Sequence, residues 1–149
     1  MLDAGCGSGF FTSLLAEHFP SAIIHAVDNF GSQSLAGNSL RRLVKNLDSL
    51  KISKRVNIRV SSILALPFDE EYFSLVASNL VLHNLARNFS RGIMEILRVL
   101  KPDGLFIYGD MFAGRYFDLI EERFTVEKSF ELKRAGIPKY RLMLLRKNS

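Results

Sequence analysis

At 149 residues, 48% hydrophobic and 23% charged, the chain is long enough for one sizeable core and is expected to form a single domain over residues 1–149. No apolar run approaches the roughly 18–20 residues that cross a membrane, the N-terminus shows no signal-peptide pattern, and the single cysteine, Cys6, excludes an internal disulfide. A reducing, cytoplasmic setting is the expectation, and the net charge of +5 admits an anionic partner.

In chain order, Met1–Ala4 reads as the end of a strand. Phe10–Phe19 reads as a helix carrying Phe11, Leu14, Leu15 and His18 at helical spacing and stopped by Pro20. The apolar run Ala22–Asp28 predicts a strand buried on both faces of a parallel sheet. Ser32–Leu50 predicts a helix that turns Leu35, Leu40, Leu43, Val44 and Leu47 toward the core. Val56, Ile58 and Val60 alternate as a strand, and Tyr72–Leu80 predicts another buried one. Phe89–Leu100 predicts an amphipathic helix, Lys101–Gly104 a turn and Leu105–Asp110 a strand. Arg115–Phe124 predicts a helix, and the tail two strands, near Thr125–Glu131 and Tyr140–Arg146, joined without a helix. Seven strands with intervening helices predict an α/β fold: a doubly wound, Rossmann-like, three-layer sheet, mostly parallel with an antiparallel C-terminal hairpin.

Ligands of such sheets sit at the carboxyl ends of the strands, so the turn "LDAGCGSGFF" (Leu2–Phe11) is the expected site. Gly5, Gly7 and Gly9 allow a sharp bend and a close backbone approach. A dinucleotide fingerprint would place its third glycine where Phe10 stands, and a P-loop would need a Gly-Lys-Ser/Thr that is absent. Asp3 would repel a pyrophosphate and attract a cationic group.

"LDAGCGSG" resembles motif I of the class I S-adenosylmethionine-dependent methyltransferases, an acid followed after one residue by G-x-G-x-G. The resemblance continues in order through "AVD" ending at Asp28, "SSILALPF" (Ser61–Phe68), "YFSLVASNLVLHNL" and "EILRVLKPDGLFI" (Glu95–Ile107). Its closest flavour is the small-molecule branch that includes ubiquinone and menaquinone C-methyltransferases. The resemblance implies S-adenosyl-L-methionine as cofactor. Gly5, Gly7 and Gly9 would line its methionine part, Asp3 would favour its ammonium, and Asp28, with Asn29 beside it, would hold the ribose. Ser62 and Ile63 would border the adenine, and Ser78 and Asn79 would face the reacting sulfur. Ser62 and Ser74 stand where the family usually has aspartates, which implies looser cofactor binding. Family members also carry a helix before motif I, so a misplaced start, a trimmed chain, and a minimal form whose lid comes from a partner or second copy are all open.

Elimination narrows the acceptor. "SNLV" at 78–81 is not the (D/N/S)-P-P-(Y/F/W) of amino-methylases, and Cys6 lies in the cofactor turn rather than at a nucleophile's place. Glu70 and Glu71 precede the strand after which protein-arginine enzymes keep their glutamates. No cluster of His, Cys, Asp or Glu suggests a metal site. His83, Asn84, Tyr108 and Asp110 remain at the substrate mouth. His83 is either a general base or a packing residue, and Asp110 either orients substrate or is structural; His18 and His25 read as structural. The expected function is methyl transfer to a small-molecule acceptor. A nucleic-acid or protein acceptor would use the basic stripe Arg41, Arg42, Lys45, Lys51, Lys54, Arg55 and Arg59, but no aromatics interleave it and a solvated face is the simpler reading. A non-catalytic cofactor-binding subunit is the third alternative.

Overall fold

The computed structural model describes residues 1–31, 39–111, 117–132 and 139–148. Its sheet is organised around a very short central strand, β1 (Leu2–Ala4), whose three side chains are all buried. β1 pairs in parallel with β2 (Ile24–Asp28) on one side and β4 (Phe73–Asn79) on the other, and β2 pairs in parallel with β3 (Val56–Val60). β4 continues into parallel pairing with β5 (Leu100–Met111). Direction then reverses, because β7 (Tyr140–Lys147) lies antiparallel between β5 and β6 (Phe124–Leu132). The order β3-β2-β1-β4-β5-β7-β6 is the expected doubly wound arrangement with an antiparallel C-terminal pair.

Helices cover both faces. On one, α1 (Phe10–His18) and α2 (Leu40–Ser49) bring Leu15, Ala16, Leu43 and Leu47 against Ile24, Ala26 and Ala77. On the other, α3 (Phe89–Val99) and α4 (Phe117–Arg123) bring Phe89, Ile93, Ile96 and Ile120 against Leu2, Val76 and Phe106. At roughly 25 cal/mol per Å² of buried apolar surface, these two layers are the main stabilising term.

The boundaries differ from expectation where local chemistry decides. α2 begins at Leu40 because Ser39 caps it, its Oγ accepting from the Arg42 amide at 3.2 Å. The stretch 32–38, with Leu35, lies outside the described residues. Leu43 and Leu47 take α2's buried face, leaving Leu40 and Val44 at its edge and exposed. On α1 the buried residues are Thr12, Leu15 and Ala16, while Leu14 and His18 face outward. β2 starts at Ile24 rather than Ala22, and Phe124, expected at a helix end, begins β6. The expected Lys101–Gly104 turn is present inside a longer strand. Phe73 pairs with Leu100 and Leu75 with Leu105, so these four residues bulge out, with Asp103 in the left-handed region at φ 57°.

Candidate functional site

β1 ends at Ala4 and α1 begins at Phe10, so five residues must reverse the chain at the carboxyl end of the sheet. They do so through Gly5, Gly7 and Gly9 at φ 83°, 50° and 93°, a region that strains any residue with a Cβ. The turn's amides are tied to β2: Gly5 and Cys6 both donate to the Val27 carbonyl, at 2.7 and 3.0 Å. Gly7 donates to Asp28 Oδ2 at 2.9 Å and Phe30 to Asp28 Oδ1 at 2.7 Å. Each carboxylate oxygen of Asp28 thus keeps acceptor capacity for a ligand.

A cavity of about 760 Å³ opens beside this turn. Among the expected site residues, Asp3, Gly5, Gly7, Asp28, Asn29, Ser62, Ile63 and Asn79 are on its wall. Gly9, Ser78, His83 and Asp110 are not. Gly9 faces α2 instead, and a Cβ there would come within 2.8 Å of Leu43 Cδ1. Ser78 and Asn79 are consecutive strand residues and point to opposite faces, so only one can front the cavity. That one is Asn79, and the Ser78 hydroxyl is fully buried with no hydrogen-bond partner among the described residues. Ser62 Oγ accepts from the Leu64 amide at 3.1 Å and so shapes its own turn.

Asp3 is 1% exposed and accepts from Thr12 Oγ1 at 2.5 Å. Burial pushes its carboxyl up to about 7, the Thr12 hydrogen bonds hold it down in part, and the neighbouring Asp28 charge adds to the rise. Thr12 was hidden in the sequence as one polar residue among the apolar positions of α1. Tyr140 was equally unmarked. Its hydroxyl donates to Asn79 Oδ1 at 2.7 Å, an approach that Gly109 permits, since a Cβ there would lie 2.2 Å from the Tyr140 hydroxyl oxygen and 2.7 Å from Asn79 Oδ1.

His83 and Asp110 find each other rather than two separate places on the cavity wall. His83 Nδ1 lies 2.5 Å from Asp110 Oδ1, and the His83 amide donates to Oδ2 at 3.1 Å. The Tyr108 hydroxyl and the Met111 amide also donate to this carboxylate, at 3.3 and 2.8 Å. Asp110 is completely buried, whereas the His83 side chain is 23% exposed in a segment whose Leu80, Val81 and Asn84 are on the cavity wall. Two residues of the same wall, Leu80 and Ala86, hold left-handed backbone at φ 55° and 45°.

Other residues have structural duties. Burial pushes the Cys6 thiol well up and removes it as a nucleophile. His25 packs edge-on against Phe68 and Phe73, at ring distances of 5.2 and 5.5 Å. Within the basic stripe, Arg55 donates to the Ala16 and Phe19 carbonyls at 2.8 and 3.1 Å, and Arg59 stands 5.2 Å over the Phe68 ring. Arg41, Arg42, Lys45, Lys51 and Lys54 are exposed.

The family described as "Methyltransferase domain" matches residues 2–108, from β1 into β5, and the turn, Asp28 and the cavity all lie in that span. The chain belongs to the class I S-adenosylmethionine-dependent methyltransferases. This methyltransferase-family chain is 34% identical over 117 residues to human mitochondrial arginine-hydroxylase NDUFAF5, covering 76% of itself and 28% of that protein. It is 32% identical over 108 residues to malonyl-[acyl-carrier protein] O-methyltransferase of Halorhodospira halophila, covering 72% and 33%. It therefore spans no more than a third of either relative's length. The N-methyltransferase NodS of Bradyrhizobium japonicum WM9, solved with S-adenosyl-L-homocysteine, shares the fold at a TM-score of 0.79 and 18% identity, over 99% of this chain and 77% of that one. Among the described residues no helix is long and apolar enough to cross a membrane.

Proposed function

We propose that the chain binds S-adenosylmethionine in this cavity and transfers its methyl group to a small organic acceptor by in-line displacement. The observation that carries the reading is the closure of the glycine turn on Asp28. Gly7 donates to a carboxylate whose remaining lone pairs face a cavity bounded on the same side by a second acid, Asp3. The residues suit the cofactor: the glycines leave bare backbone where side chains would intrude, Asp3 matches an ammonium, and Asp28 matches a pair of vicinal hydroxyls. When bound, the cofactor supplies an electrophilic methyl group on a sulfonium. The protein's part is to hold a nucleophile in line and exclude water. Titrating the wild-type chain with S-adenosylhomocysteine in a calorimeter tests the reading, and no binding at millimolar ligand would overturn it. Asp28→Asn should weaken that binding at least about tenfold, as expected when a charge-assisted pair of hydrogen bonds becomes neutral.

His83 is the proposed proton acceptor for an acceptor that must lose a proton, and Asp110 positions it. With Nδ1 engaged by Asp110, Nε2 is the ring atom left without a protein partner among the described residues. With an acceptor in hand, His83→Gln should lower kcat about 10²- to 10⁴-fold and leave S-adenosylhomocysteine affinity unchanged. An unaltered kcat would reduce the pair to a structural tie. A second reading, a protein or RNA acceptor, draws on the six exposed basic residues of the stripe, all but Arg55, and on the human relative named for arginine hydroxylation. A steep fall of tRNA binding with salt would favour it.

A further inference from the structure

The cavity wall formed by Ser61, Ser62, Ile63 and Leu64 belongs to no helix or strand; the Ala65 and Leu64 amides donate to the Ser62 carbonyl and Oγ, both at 3.1 Å, and Ile63 packs into the core, but the turn's place against the sheet is also set from outside it. One end is anchored to β2, where the Ser61 amide donates to the Asp28 carbonyl at 3.1 Å. The other end is held by two side chains of α3. Glu95 Oε2 accepts from the Leu66 amide at 2.8 Å. Arg98 donates through Nη2 to the Leu66 carbonyl at 2.9 Å and through Nη1 to the Phe68 carbonyl at 2.8 Å. The two side chains lock each other in a two-point pair, with Arg98 Nε on Glu95 Oε1 and Nη2 on Oε2, both at 2.9 Å. Neither residue is on the cavity wall.

Such a clamp is specific chemistry rather than general packing. A guanidinium presents its donors in a fixed plane, so one side chain satisfies two carbonyls and a carboxylate together, which an ammonium cannot do. The pair is only part-exposed, 29% and 19%, and its bonds form to backbone groups whose alternative partner would be water. The hydrogen bond from Arg98 lies first among the causes holding the Glu95 carboxyl below its usual range, and the Leu66 amide works in the same direction. Besides the packing of Ile63 and Leu66 in the core, the chain from Ser61 to Phe68 therefore has one polar anchor in the residue whose carboxylate bounds the cavity and one in the Glu95–Arg98 pair.

We infer that Glu95 and Arg98 are positioning residues for ligand binding: they set the Ser62–Leu64 wall without touching the ligand. The inference rests on the cofactor reading above. It predicts that Arg98→Ala weakens S-adenosylhomocysteine binding to the full chain by about tenfold or more, the scale of one lost charge-assisted hydrogen bond. Arg98→Lys should fail to restore affinity although it keeps the charge. Backbone amide NMR signals of Ile63 and Leu64 should shift in both variants before ligand is added. Lys147→Met is the control for mere softening, because Lys147 donates to the Leu97 and Leu100 carbonyls, at 2.9 and 2.8 Å, in the same region and touches neither wall nor clamp. It should lower Tm with affinity unchanged. Wild-type affinity in Arg98→Ala, full rescue by lysine, or equal losses in the Lys147 variant would each overturn the inference. Absence of binding by the wild-type chain would instead overturn the cofactor reading and the clamp with it.

Discussion

Asp3→Asn is expected to stabilise the ligand-free protein at pH 8 while weakening its grip on S-adenosylhomocysteine. The Asp3 carboxyl rises from its ordinary 3.8 to about 7 in the folded state because it is buried. Below the lower value it is protonated whether the chain is folded or not, and above the upper one it is ionised in both states. Between them the folded state keeps a proton that the unfolded state releases, so stability falls as pH rises through this window and levels off above 7. Three units at about 1.4 kcal/mol each put the cost of the charged carboxylate near pH 8 on the order of 4 kcal/mol. Asparagine retains an oxygen for the Thr12 hydroxyl and removes the charge. Its Tm should exceed that of wild type by more than about 5 °C at pH 8 and converge with it near pH 4.

Ligand affinity should run the other way. An ammonium brought beside Asp3 favours the ionised form, so wild-type affinity should increase from pH 6 to pH 8 while the variant's stays flat. Differential scanning fluorimetry and calorimetry at three pH values measure both. A wild-type affinity independent of pH would show that Asp3 meets no cation. The site thus appears to the free protein as a defect that the ligand relieves.

Gly5→Ala is expected to be the most damaging single methyl addition in the turn. At φ 83° an alanine carries a left-handed penalty of about 1–2 kcal/mol. Its Cβ would also sit 2.3 Å from Val81 Cγ2 and 2.7 Å from Cγ1, adding an overpacking cost of about 1–3 kcal/mol. Because Val81 is itself on the cavity wall, relief by movement deforms the site, and S-adenosylhomocysteine binding should fall below detection. Val81→Ala in the same chain removes the two shortest approaches, leaves the residue-81 Cβ at 3.0 Å, and leaves the backbone penalty. The double variant should recover part of the stability in urea unfolding but not all of it. No recovery would mean that the collision is not the cause.

The order and type of the elements were legible because buried parallel strands announce themselves as apolar runs and helices as stripes. The glycine turn was legible for a different reason: its backbone angles admit little else. Edges were harder to read. Leu40 and Val44 lie beside Leu43 and Leu47 on α2's stripe, and no local pattern says which side a neighbouring helix leaves open. Lys101–Gly104 has the composition of a turn and is one, yet pairing by β4 on either side of it makes it a bulge within β5. At the site, side chains fixed by a glycine or an acid could be anticipated from the sequence. Thr12, Tyr140 and Arg98 could not, since each gains its role from a partner many residues away: Asp3, Asn79 and the Leu66 and Phe68 carbonyls.

The interior place of β7 has a consequence for how the protein is made. It is synthesised after β6, yet it lies between β5 and β6, pairing with both along nearly its whole length. Until residues 140–147 leave the ribosome, β5 presents an open edge and β6 has no neighbour in the sheet. A nascent chain halted before that point carries unpaired strand backbone next to Phe106 and Phe124, the conditions for edge-to-edge association with another nascent chain. The β5-β7-β6 side of the sheet can form only once translation has passed β7.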